Sequence, residues 1–112
     1  REIDIELLEK DALELYQKLL NKSVKKASLV FYTEGYEYYK EREYDFAIDS
    51  LEKSLSLEKN EYYSDDCYYL IAYSHYRKGN YYAARQAMGT LISNYPDSTY
   101  KKEATDFLAL NK

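Results

Sequence analysis

The sequence predicts an all-α protein, a short stack of antiparallel helix pairs with a helix flanking each end. Three observations carry that expectation. FYTEGYEYYKEREYDFAIDSLEKSL (31–55) recurs without a gap as YYLIAYSHYRKGNYYAARQAMGTLI (68–92), so that Phe31 falls on Tyr68, Tyr36 on Tyr73, Tyr44 on Tyr81, Ala47 on Ala84 and Leu51 on Met88. Within each block the apolar residues follow the 3.6-residue period of a helix. Only three Gly and one Pro punctuate 112 residues, which suits helices joined by short turns and not a sandwich of strands.

Taken in order, the elements are six helices. Residues 3–21 (IDIELLEKDALELYQKLLN) are strongly amphipathic, and Ser23 is expected to cap a second helix over 23–41. There Tyr32, Tyr36 and Tyr39 recur at helical spacing between Phe31, Gly35 and Tyr38, an apolar stripe wide enough for a helix packed on two sides. A turn at Lys40–Glu43 leads into 44–58, a simpler amphipath carrying Tyr44, Ala47, Ile48, Leu51 and Leu55. Ser64, Asp65 and Asp66 mark the start of 63–78, with an oxygen to cap the helix and acids near its positive end. Gly79 supplies a left-handed C-cap before 81–94, and Pro96-Asp97-Ser98 opens a short final helix over 98–110. Local β-propensity at Tyr62-Tyr63 and Cys67-Tyr68-Tyr69 is outweighed by the recurring frame. The organisation is therefore an N-terminal amphipathic helix (1–22), a first unit (23–61), a second unit (62–97) and a capping helix (98–112).

Composition narrows function. At 13.3 kDa, with about a third of its residues charged and nearly half hydrophobic, the chain is one folded domain. No apolar run is long enough to cross a bilayer, so direct membrane insertion is not expected of this segment. A net charge of -4 argues against nucleic acid as a partner, although Tyr interleaved with Lys40 and Arg77 is a pattern that single-strand binders also use. One Cys excludes an internal disulfide framework. The chain opens at Arg1 with no initiator Met and is read as part of a longer protein. Its compositional signature is sixteen Tyr and no Trp.

The repeated pattern resembles the tetratricopeptide repeat, a helix pair of roughly 34 residues. Phe31, Gly35, Tyr38, Ala47 and Leu51 match the family's aromatic, small and large positions in the first unit, as do Tyr68, Ala72, His75, Gly79, Tyr81, Ala84, Met88 and Pro96 in the second. Gly35, Ala47, Ala72 and Ala84 are small where helices must approach closely; Phe31, Tyr38, Leu51 and Met88 fill the space between them. Glu34 stands where Leu is usual, Lys59 replaces the first Pro, and three residues are inserted near 59–64, implying a longer loop. In frame with the family's second helix, Ala12, Leu13, Tyr16, Leu19 and Leu20 identify the N-terminal helix with half of a preceding repeat. The resemblance implies a right-handed α-solenoid. GNYYAARQAMGTLISNYPDSTYKKEA (79–104) is also similar to a signature of bacterial envelope repeat proteins of the Tol–Pal-associated and outer-membrane-assembly lipoprotein type, which would place the chain outside the cytoplasm.

Tetratricopeptide arrays bind partners along the groove lined by the first helix of each unit. The resemblance carries that groove onto Tyr32, Tyr36, Tyr39 and Lys40, and onto Tyr69, Tyr73, Tyr76 and Arg77, three tyrosines followed by a cation in both units. Flat rings suit apolar and aromatic side chains of an extended peptide, and cations suit a carboxylate. A non-catalytic scaffold holding a segment of a protein partner is the expected function. The same stripe also reads as packing, with its hydroxyls at the edge; Tyr38, Tyr44 and Tyr81 are assigned to the core.

Chemistry finds little footing. His75 stands where the first unit has Tyr38 and reads as an interhelical packing residue. Cys67 has no adjacent cation to activate it and reads as structural. Glu61, Asp65 and Asp66 lack the spaced oxygens and Gly of a calcium loop, and helix capping accounts for them. With no phosphate loop, nucleophile elbow or paired-carboxylate motif, neither enzymatic activity nor a metal or other cofactor is expected.

A homo-oligomer is the rival expectation. Ile5, Leu8, Ala12, Leu15 and Leu19 form a 3-4 heptad seam on the first helix, short for a coiled coil unless upstream sequence continues it. Leu13, Tyr16 and Leu20 are expected to turn instead toward the first unit.

Overall fold

The computed structural model describes residues 5–112, apart from the side chains of Ile5, Leu7 and Leu8. Its order is α1 (Ile5–Lys40), α2 (Tyr44–Leu57), α3 (Ser64–Arg77), α4 (Tyr81–Asn94) and α5 (Lys101–Leu110). The architecture is an all-α helical repeat: α1 pairs antiparallel with α2, α3 with α4, and α5 closes the stack against α4.

The two helices expected over 3–21 and 23–41 are one. Ser23 is helical and exposed, and caps nothing. The stretch Asn21–Val24 contains no Gly or Pro, and extending an existing helix is far cheaper than nucleating another. At 1.5 Å per residue α1 is about 54 Å long, against about 21 Å for α2. Its N-terminal part therefore overruns the stack, in keeping with the molecule's 73 × 28 × 19 Å extents. Leu13, Tyr16 and Leu20, expected to pack on the first unit, are exposed, because α2 ends before it reaches them. Residues 3 and 4 and the side chains of Ile5 and Leu8, which belong to the expected first helix and its seam, lie outside the described residues.

Helix pairing follows the small residues. A Cβ on Gly35 would lie 2.6 Å from Cγ of Leu51 and 3.3 Å from the Ala47 carbonyl, so only Gly lets α1 and α2 approach this closely. Ala47, Ala72 and Ala84 are fully buried, and Leu51, Met88 and Leu91 fill the interior between layers. Each such large side chain contributes about 1.5–3 kcal/mol by leaving water. Phe31 and Tyr38 are half-buried, Tyr38 packing on Phe46 at 5.4 Å between ring centres. Tyr81, expected in the core, is 54% exposed: it is the first residue of α4, and its ring meets Tyr76 on one side only.

The connections repeat as faithfully as the helices. Gly79 adopts φ +84° after α3, and Arg42 takes φ +63° at the matching point after α1. The loops 58–63 and 95–100 are equally long, so the extra residues belong to both units and set the 37-residue period. Capping differs from expectation. Ser64 Oγ accepts from the Glu61 amide in the preceding turn, while Asp65 Oδ1 accepts from the Asp66 amide. Ser98 precedes α5 by a turn; its Oγ donates to Asp65 Oδ2 at 2.6 Å and accepts from the Tyr100 amide. The hydroxyls thus serve tight turns and a tie between units, leaving the first helical amides of α3 and α5 without a side-chain cap at the N-cap position.

Beneath the first unit lies a buried polar cluster. Ser28 Oγ donates to the Ser54 carbonyl at 2.9 Å, Ser54 Oγ donates back to the Ser28 carbonyl at 2.8 Å, and the Tyr63 hydroxyl donates to Ser28 Oγ at 2.7 Å. Each group finds a partner, which is the condition for burying it at all.

Candidate functional site

The first helices of the units, α1 and α3, carry all eight candidate groove residues, and the side chains of α5 meet the far side of α3. The tyrosine face is built from contacts that recur with the repeat. The Tyr32 hydroxyl donates to Asp66 Oδ2 at 2.8 Å, and Tyr69 donates to Glu103 Oε1 at 2.8 Å, each reaching to the next first helix. The Tyr32 ring lies 4.9 Å from that of Tyr63, as Tyr69 stacks on Tyr100 at 4.2 Å. Tyr39 meets Tyr44 at 5.7 Å, and Tyr76 meets Tyr81 at 5.3 Å. Each of these pairs maps onto the other by the 37-residue shift.

These contacts divide the candidates. Tyr32, Tyr39, Tyr69 and Tyr73 are half-buried against the core, and Tyr73 also reaches Glu103 at 3.2 Å and Phe107 at 5.8 Å. Burial and the adjoining carboxylates of Asp66 and Glu103 push the Tyr32 and Tyr69 hydroxyls well above their ordinary pKa. Burial, with Asp66 beside it, lifts Tyr100 to about 12. Burial also raises Tyr39, and the Arg77 guanidinium partly offsets it. Tyr36 remains 43% exposed with Lys40 Nζ 5.5 Å from its ring centre, and Tyr76 remains 37% exposed. Lys40 and Arg77 are exposed. Tyr73 and Tyr76 open on a hollow of about 270 Å³ completed by Glu103, Phe107 and Leu110.

Two further features have other chemistry. Cys67 is fully buried, and burial pushes its thiol up to about 12, so it is held as a protonated packing group beside Ser54. His75 is half-buried on the opposite side of α3, in a hollow of about 400 Å³ with Glu52, Tyr68 and Gln86; burial and then Lys78 lower its pKa. The acids expected only to cap are instead partners: Asp66 of Tyr32, Asp65 of Ser98, and Glu61 of Lys25 at 3.6 Å. No group of three or more His, Cys, Asp or Glu among the described residues is placed to hold a metal. No helix among them is long and apolar enough to cross a membrane.

Sequence reasoning missed Glu103, Tyr63 and Tyr100 as parts of this face. The signal was present: Tyr63 and Tyr100, like Asp66 and Glu103, stand one period apart, outside the two recurring blocks.

A family model described as tetratricopeptide repeat matches residues 66–98, which take in most of α3, the turn after it, α4 and the start of the next loop. Neither the curated proteins nor the solved structures contain a match. The matched segment is similar to a tetratricopeptide repeat unit, and the five-helix stack is an all-α helical repeat consistent with that likeness. Repeats of this family generally mediate protein–protein interaction and scaffolding, and are typically non-catalytic.

Proposed function

We propose that the chain is a non-catalytic scaffold that holds an extended segment of a partner protein along the tyrosine face, across Tyr32, Tyr36, Tyr39 and Lys40 and across Tyr69, Tyr73, Tyr76 and Arg77. The observation that carries the reading is the division of labour among these tyrosines. Tyr32, Tyr39, Tyr69 and Tyr73 fix the face through contacts to neighbouring helices, while Tyr36 lies open and Tyr76, packed against the rings of Tyr81 and Phe107, keeps over a third of its surface in solvent. A face whose rings are already positioned loses little conformational freedom when a peptide lies on it. The open rings offer apolar contact, and Lys40 and Arg77 offer positive charge after the third tyrosine of each unit. The chemistry fits a peptide with apolar or aromatic residues and a carboxylate.

The hydroxyls of Tyr32 and Tyr69 already have carboxylate partners, so in this reading their rings, and not their hydroxyls, meet the peptide. The test selects binders from a displayed random-peptide library on the immobilised chain and measures their affinity by fluorescence anisotropy. Tyr36→Ala with Tyr76→Ala is expected to weaken selected peptides at least about tenfold, since each ring is worth about 0.5–1.5 kcal/mol beyond its buried area. Helical circular dichroism should remain unchanged. Affinity retained by a folded double variant would rule the face out.

A further inference from the structure

One apolar surface of α1 is covered by nothing among the described residues. From Asp11 to Ser23 every residue of α1 is exposed, and Leu13, Leu15, Tyr16, Leu19 and Leu20 stand bare on a lone helix. Leu15 and Leu19 are 60% and 58% exposed. An unsupported helix of this length is only marginally stable in water, and single-helix apolar stripes this wide mark a contact surface.

Charge identifies the occupant. Residues 1–14 hold six acids and two bases, and residues 15–26 hold four lysines and no acid. A second copy lying parallel would set acid against acid and lysine against lysine. Antiparallel, each block meets its complement. The heptad register sharpens this. Ala12, Leu15 and Leu19 form the seam, with Ile5 and Leu8 on the same register in the sequence, and Asp11 and Lys18 occupy the same flank one heptad apart. Layering Ala12 on the partner's Leu15 brings Asp11 against the partner's Lys18, and the two-fold axis makes the contact twice. In a parallel pair those flank positions would face Tyr16 and Ser23, with no opposite charge.

We infer that two copies of this chain pair antiparallel through the overrunning part of α1, crossing between Ala12 and Leu15, with reciprocal Asp11–Lys18 ion pairs fixing the direction. The site is separate from the tyrosine face, so each copy keeps its α3 and α5 surfaces free.

Sedimentation equilibrium over a concentration series tests this with the whole chain. Leu15→Glu with Leu19→Glu, which touches no packed contact of the stack, is expected to raise the dimer dissociation constant by about a hundredfold or more. Asp11→Lys is expected to raise it about tenfold, and Asp11→Lys with Lys18→Asp to restore it. Mixing Ala12→Cys chains with Leu15→Cys chains should give the mixed disulfide as the main cross-linked product. A chain that stays monomeric at millimolar concentration overturns the proposal. So does a dimer indifferent to the leucine substitutions, a charge swap that fails to restore pairing, or Ala12→Cys chains that cross-link chiefly to themselves.

Discussion

The Tyr32 hydroxyl donates a 2.8 Å hydrogen bond to Asp66, tying the first helix of one unit to the first helix of the next. One period on, Tyr69 donates to Glu103 over the same distance. Acid and ring move together through the repeat, so the tie belongs to the architecture of the stack.

That tie makes stability sensitive to alkali. Tyr32, Tyr69 and Tyr100 hold their protons more tightly when folded, because burial and the neighbouring carboxylates disfavour the phenolate. A raised folded-state pKa gives stability that is fully present below pH 10, the ordinary tyrosine value, and lost as pH rises through the folded value. The melting temperature should therefore fall steadily from pH 10 to 12. Tyr32→Phe with Tyr69→Phe should flatten that fall. Thermal denaturation followed by circular dichroism across the range measures both, and equal slopes for parent and variant would contradict the assignment.

The Ser28–Ser54–Tyr63 cluster should behave as one unit. Ser28→Ala removes the acceptor of the buried Tyr63 hydroxyl and a partner of Ser54, and is expected to cost about 1–3 kcal/mol. Tyr63→Phe in the Ser28→Ala background should cost less than in the parent. Urea unfolding of the four proteins gives the coupling, and additive losses would mean the hydroxyls act independently.

Arg42 occupies, at φ +63°, the place that Gly79 fills in the second unit at φ +84°. Arg42→Gly should raise stability by about 0.5–1 kcal/mol through relief of the left-handed backbone, while Gly79→Ala should lower it by about 1 kcal/mol. Opposite shifts in melting temperature are the expected result.

Close packing sets two further costs. Gly35→Ala drives a methyl into Leu51, and Ala84→Leu overfills a fully buried site; each should cost about 1–3 kcal/mol. Leu51→Val should recover part of the loss in Gly35→Ala and none in Ala84→Leu. Chemical denaturation midpoints decide it.

Much of this was legible in the sequence, because small residues and apolar residues recur in a fixed frame. Gly35, Ala47, Ala72 and Ala84 mark helix approach directly, and α4 spans the expected 81–94. The break at Ser23 was misread since a capping residue is only a preference, and with no Gly or Pro nearby the helix continues. Tyr81 was misread because it opens α4, where the ring packs on Tyr76 and is otherwise left to solvent. On the tyrosine face the repeat located the rings, but a ring's sequence position does not say whether its hydroxyl faces solvent or a carboxylate on another helix. Tyr32 and Tyr36 look alike in the chain, yet one is bonded to Asp66 and the other lies open beside Lys40.

The most direct test of the tyrosine face is amide chemical-shift mapping by NMR, titrating the chain with a library-selected peptide. The perturbed amides should cluster on Tyr32–Lys40 of α1 and Tyr69–Arg77 of α3, with Tyr36 and Tyr76 among the largest. Perturbations centred on α2, α4 or the overrunning part of α1 would contradict the account.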